Sequence, residues 1–155
     1  MRFSERFKIA PVYEPVDTEA GLDGDSINMG LMHLFCYALT FGAITGDAVL
    51  KFYVGATVGV KTTAIAFAYR LSSADFKAAN ADLYGAVTPV AAAGLTLVAA
   101  TFDHRTVLIE FDSQAIPDAT PWLTIELSAA ATASLTACVG IGEPRNASNA
   151  GTSVL

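Results

Sequence analysis

Ala64-Ile65-Ala66-Phe67-Ala68-Tyr69-Arg70-Leu71 beats with a period of two. Ile65, Phe67, Tyr69 and Leu71 share one face, and Ala64, Ala66, Ala68 and Arg70 share the other. Successive strand side chains point to opposite faces, so this run suits a strand that buries one side of a sheet. Six more apolar runs of similar length flank it, at 34–41, 49–54, 95–101, 106–112, 122–127 and 133–141. Gly, Asp, Thr or Pro closes each. The chain is therefore expected to be all-β, an antiparallel β-sandwich or flattened β-barrel with one short helix and an extended N-terminal arm.

The connections suggest hairpins. Gly42-Ala43-Ile44-Thr45-Gly46-Asp47 is expected to join Leu34–Phe41 to Val49–Val54, and Phe102-Asp103-His104-Arg105 to join Leu95–Thr101 to Thr106–Asp112. Leu34–Phe41, apolar on both faces, belongs in the centre of a sheet. Gly55–Val60 turns the chain into the alternating run. Ser72 followed by Asp75 imitates a capping box, which places one short helix or helical turn within 72–83. In Ala133–Ile141, Leu135, Ala137, Val139 and Ile141 alternate with Ser134, Thr136, Cys138 and Gly140.

Three segments follow. Residues 1–25 hold Pro11 and Pro15, six carboxylates and no sustained period, so they read as an arm outside the core. Residues 26–142 form the sandwich domain, and 143–155, rich in Asn, Ser, Gly and Thr, a flexible tail. Within the arm, Ile9, Val12, Tyr13 and Val16 form an apolar cluster that could dock on its own domain or on another protein.

Composition narrows the function. Of the 155 residues, 53% are hydrophobic and only 15% charged, against roughly 25% charged in an average soluble domain. That shortage suggests surface buried against neighbours. The net charge is -6 and the nine basic residues are scattered, which argues against nucleic acid. Two uncharged segments, 26–46 and 83–102, approach the length of a membrane span, but their Ser, Asn, Gly and Pro content fits strands and turns better. No leader-like apolar run opens the chain, so a soluble protein made in the cytoplasm is expected. Cys36 and Cys138 are then expected as free thiols. Asn146-Ala147-Ser148 matches a glycosylation pattern that has no use there.

No catalytic constellation emerges. Gly55-Ala56-Thr57-Val58-Gly59-Val60-Lys61-Thr62 resembles a phosphate loop, yet three residues separate its glycines where four are needed, and Val60 precedes the Lys. Asp103-His104-Arg105 are neighbours in a tight turn and lack a nucleophile. Two histidines and two distant cysteines offer no short metal-ligand pair. Glu110 and Asp112 share a strand face and do not oppose each other across a substrate. No enzyme, metal or cofactor is expected.

A resemblance goes further. Gly24-Asp25-Ser26-Ile27-Asn28-Met29, Phe41 to Lys51 with Tyr53 and Gly55-Ala56-Thr57, Lys61-Thr62 leading to Phe67, Tyr69 and Arg70, Leu95-Thr96-Leu97, Thr106 to Glu110, Trp122 to Leu127 and Glu143-Pro144-Arg145 together resemble a group of small tailed-bacteriophage virion proteins. The ordered series, spanning residues 3–146, carries the likeness. It implies a head decoration (cement) protein that clamps major capsid protein subunits, commonly as a homo-oligomer (a trimer), on the capsid surface of the virion. On that reading Ile9, Val12, Tyr13 and Val16 are candidate capsid contacts, the arm adding a strand to a capsid sheet edge. Arg105 in its turn and Trp122, the single tryptophan, are candidate oligomer contacts. A tail or neck component remains open, as does a carbohydrate- or receptor-binding sandwich on the virion, for which Trp122 would be the aromatic platform.

Overall fold

A computed structural model describes residues 2–130, 134–146 and 152–155. The strands, in chain order, are β1 (Lys8–Asp17), β2 (Leu22–Asp23), β3 (Ile27–Asn28), β4 (Met32–Ile44), β5 (Ala48–Gly55), β6 (Thr63–Ile65), β7 (Phe67–Leu71), β8 (Thr88–Val90), β9 (Leu95–Leu97), β10 (Thr106–Asp112), β11 (Trp122–Leu127) and β12 (Ser134–Pro144). They form two antiparallel six-strand sheets packed as a sandwich. The first runs β1-β12-β4-β10-β7-β8; the second runs β2-β11-β5-β6, with β3 on β11 and β9 on β5. Among the described residues helix is confined to α1 (Phe3–Arg6), α2 (Ala99–Phe102) and two 3-10 turns, Met29–Leu31 and Ser113–Ala115.

The core lies between the sheets. Phe35, Tyr37, Leu39 and Phe41 of β4 point inward and meet Leu50 and Phe52 of β5 and Leu123 and Ile125 of β11, all buried. The Tyr37 ring stands edge-on to Phe35 at 4.8 Å, to Phe52 at 5.0 Å and to Phe111 at 6.1 Å, the arrangement that aromatic quadrupoles favour. Its hydroxyl donates to the Leu123 carbonyl at 3.4 Å, a polar tie between the sheets. As expected, β4 is central, registered against β12 on one side and β10 on the other.

The opening run is split. Thr63–Ile65 pairs with β5 in one sheet, whereas Phe67–Leu71 pairs with β10 and β8 in the other. Ala66 is the crossing point, where a small side chain lets the chain pass from layer to layer while keeping its alternation. Neither connection read as a hairpin is one. β4 and β5 lie in different sheets, so residues 45–47 arch over the end of the sandwich. β9 pairs with β5, not β10, and α2 fills the turn between them. Consecutive strands that do pair are β5 with β6, closed by residues 56–62, and β7 with β8 across a longer connection.

Three further expectations are corrected. Residues 8–17 do not form an arm outside the core: they make edge strand β1, paired with β12, with Ala10 and Val12 buried. Proline is compatible with this because an edge strand leaves one row of N–H positions unpaired. The segment 72–83 carries turns and no helix: the Ala78 N–H donates to the Asp75 carbonyl at 2.8 Å and the Leu83 N–H to the Asn80 carbonyl at 3.1 Å. Ser72 bridges Tyr84, the Ser72 hydroxyl donates to the Ala74 carbonyl at 3.0 Å, and Asn80 takes a left-handed φ of 69°. In the segment read as a tail, Glu143 and Pro144 complete β12, the Arg145 N–H donates to the Leu31 carbonyl at 2.9 Å, and Val154 is buried with its carbonyl accepting the Asn28 N–H at 2.8 Å. Ala133, the expected start of the last strand, and the Ala147-Ser148 half of the glycosylation pattern lie outside the described residues.

Candidate functional site

The last strand faces the opposite way from what its chemistry suggests. Ser134, Thr136 and Cys138 of β12 point into the core, and Gly140 and Gly142 are buried with them. Leu135 and Val139 point out, at 54% and 43% exposed, with Ala137 and Ile141 half-buried beside them. The cause is on β4. Phe35 packs so closely that a Cβ on Gly140 would lie 2.1 Å from its Cζ, and one on Gly142 2.7 Å from its Cδ2. Inner space opposite the β4 aromatics is filled, so β12 turns its small residues inward and its large ones outward.

Register extends the outward set across four strands. Ile141 stands opposite Ile9 of β1 and Cys36 of β4; Val139 stands opposite Pro11 and Ala38; Leu108 of β10 stands opposite Ala38. Cross-strand partners share a face, so these residues form one apolar surface. Leu34, 41% exposed, continues it on β4. Charged side chains interrupt and border it: Asp17 of β1 stands opposite Leu135, Glu110 of β10 opposite Cys36 and Arg70 of β7 opposite Leu108, with Asp112 and Glu143 beyond, the last 3.6 Å from Arg6.

The outer side of the second sheet is different. There Lys61 is held by both Asp23 oxygens, at 2.8 and 2.9 Å, and by Glu126, while the Tyr53 hydroxyl donates to Glu126 at 3.3 Å. The hydrogen bond to Asp23 leads in pushing the Lys61 ammonium above its ordinary value, followed by that to Glu126. A recess of about 290 Å³ opens beside Asp23 and Glu126, but Lys61 already occupies both carboxylates. The residues read as a phosphate-like loop are the β5–β6 turn, whose Gly59 N–H donates to the Ser26 hydroxyl at 2.9 Å.

The candidate capsid contacts separate. Ile9 is 54% exposed on the apolar surface, while Val12 is buried. The Tyr13 hydroxyl lies 3.1 Å from the Thr136 hydroxyl, and burial pushes its pKa far up. Val16 is half-buried opposite Thr136. The candidate oligomer contacts are not brought together either. Arg105 is tied within its own chain, donating to the Ser72 carbonyl at 3.2 Å and lying 3.9 Å from Asp75. Trp122 is half-buried in the other sheet, opposite Asn28 and Gly55. Leu34, Leu108, Leu135 and Val139 were not singled out, because the alternation of 134–141 shows two faces without showing that the small polar one is buried.

The Asp103 carboxylate accepts the Ile44 N–H at 2.8 Å and thereby serves the backbone, with His104 at a left-handed φ of 53° and 3.7 Å away. Asp112 accepts the Gln114 N–H at 2.8 Å. Among the described residues no three His, Cys, Asp or Glu side chains gather as metal ligands, and no helix is long and apolar enough to cross a membrane. Both cysteines are free thiols, Cys36 half-buried on the apolar face and Cys138 inside.

Neither a protein-family model nor a curated protein matches the chain. Among solved structures it is similar to the SPBc2 prophage-derived protein YomS, at 14% identity and a TM-score of 0.47 over 88% of this chain and 91% of that one. A second likeness is to a structure of infectious bursal disease virus, Gx strain, at 14% identity and a TM-score of 0.24, over 96% of this chain and 42% of that one.

Proposed function

We propose that this chain is a non-enzymatic structural protein of a tailed-phage particle, a decoration (cement) protein that binds the head between major capsid subunits. The observation that carries the reading is the outward turn of Leu135 and Val139 on β12, which puts an apolar strip on the outer face of one sheet. Exposed patches of that kind mark association surfaces on soluble proteins. The series of residues similar to phage virion proteins supplies the context, and the low charge content fits a surface covered by neighbours.

A cement protein needs no chemistry. It adds binding free energy only to the assembled shell and so stabilises that state by mass action, with many copies acting together. Strand addition by the arm is not the proposed mode, since β1 already completes its own sheet and carries Pro11 and Pro15. The decisive experiment mixes purified protein with heads lacking it, then measures co-sedimentation and copies per particle. Hundreds of copies spread over the head support the reading. A dozen copies confined to the neck, or binding to a glycan array without binding to heads, would overturn it.

A further inference from the structure

We propose that residues 152–155 are a self-bound peptide, held in a slot at the free edge of β3 that recognises an extended segment with one aliphatic anchor and accepts the same segment from solution. β3 uses one edge to pair with β11, Asn28 opposite Trp122 and Ile27 opposite Leu123. The Met29 N–H turns the same way, to the Pro121 carbonyl at 2.9 Å, while the Asn28 N–H donates to the Val154 carbonyl at 2.8 Å. Val154 also sends its side chain into the hydrophobic core, at 3% exposed, between the exposed Ser153 and Leu155. Out, in, out over three residues is the alternation of an extended chain. A main-chain bond to a sheet edge plus a side chain in a pocket is how peptides bind by strand addition.

The segment can leave without undoing the sandwich. β12 ends at Pro144, and Arg145 is fixed separately, its N–H donating to the Leu31 carbonyl at 2.9 Å and its guanidinium to the Ser113 hydroxyl at 3.2 Å. Leu31 closes the 3-10 turn that starts directly after Asn28, so the chain leaves the body and returns to it at neighbouring points. Asn28 keeps its own support when Val154 departs. Its pairing with β11 and its side-chain bond to the Gly30 N–H, at 3.0 Å, do not involve residues 152–155. Tethering keeps the slot filled, through an effective concentration on the order of 1 mM for a short linker. A free peptide making the same contacts binds measurably once the tethered anchor is displaced. This goes beyond the decoration reading, which needs neither the slot nor its occupant.

The test titrates the pentapeptide Gly-Thr-Ser-Val-Leu, the sequence of residues 151–155, into the isotope-labelled full chain and follows the Asn28 amide by NMR. V154D, checked for folding by circular dichroism, expels its own anchor, so its Asn28 signal should move and saturate with added peptide. The native chain should bind the peptide at least tenfold more weakly, and Gly-Thr-Ser-Asp-Leu should move neither signal. Hydrogen exchange of the native chain gives a second reading that needs no variant. The Asn28 N–H should exchange by local opening, at least a hundredfold faster than the amides of central strand β4. A folded V154D that ignores the peptide, or an Asn28 N–H that exchanges only with global unfolding, would overturn the inference. Either result leaves binding to heads untouched.

Discussion

The Phe35 ring lies directly on Gly140 of the neighbouring strand, where an added Cβ would come within 2.1 Å of its Cζ. This contact fixes which face of β12 is inside. It also makes the outward set Leu135, Val139 and Ile141 a consequence of how β4 packs.

Gly140→Ala should therefore destabilise the sandwich by about 1–3 kcal/mol, the usual cost of overpacking. Phe35→Leu in the same chain should recover part of that loss, because the two residues share one space. Urea midpoints for the single and double variants read the coupling.

Gly55→Ala should cost more. Its Cβ would meet the Val60 carbonyl oxygen at 1.8 Å, and that atom belongs to the backbone. A ring can turn away, whereas the closing residues of the β5–β6 hairpin cannot move without displacing Lys61 from Asp23 and Glu126. Thermal unfolding should show a larger drop than for G140A.

Val12 and Ile9 sit three positions apart on β1 and face opposite ways, at 1% and 54% exposed. Val12→Ala should lose roughly 1–3 kcal/mol, since its side chain is 1% exposed in the core. Ile9→Ala should stay within about 0.5 kcal/mol of the native chain. Equal, negligible losses at both positions would mean that residues 8–17 behave as a free arm.

Alkali should weaken the fold. Burial pushes the Cys36 thiol up from 9.0 to about 11, and also raises Cys138 and Tyr37 above their ordinary values. A raised pKa means that the folded chain holds its proton more tightly than the unfolded one. The stability these groups contribute is thus complete below pH 9 and falls as pH rises from 9 through 11. Cys138→Ala should flatten that fall, measured as the urea midpoint against pH.

The legible part of the fold was its local geometry. A period of two located the strands at 64–71, 106–112 and 122–127 because alternation is a property of one strand at a time. Which strands pair is not such a property. Short connections with Gly and Asp serve hairpins and arches alike, so residues 42–47 and 102–105 read as hairpins although each joins one sheet to the other. Ala66 looks like any other small outward residue until its neighbours on either side are seen in different layers. Pro11 and Pro15 suggested an unpaired arm because proline is excluded from central strands, but an edge strand accepts it. Of the candidate contacts only Ile9 joins the apolar face. The rest of that face was hidden because hydropathy alone points Leu135 and Val139 inward, and the bulk of Phe35 over Gly140 and Gly142 reverses them.

The most direct measurement of whether the face of Ile9, Leu135 and Val139 is an association surface is hydroxyl-radical footprinting of the dilute protein against phage particles that contain it. The account predicts strong protection of those three side chains in the particle, with Val58 and Val87 far less changed. Equal labelling of Leu135 and Val139 in the free and assembled protein would contradict it.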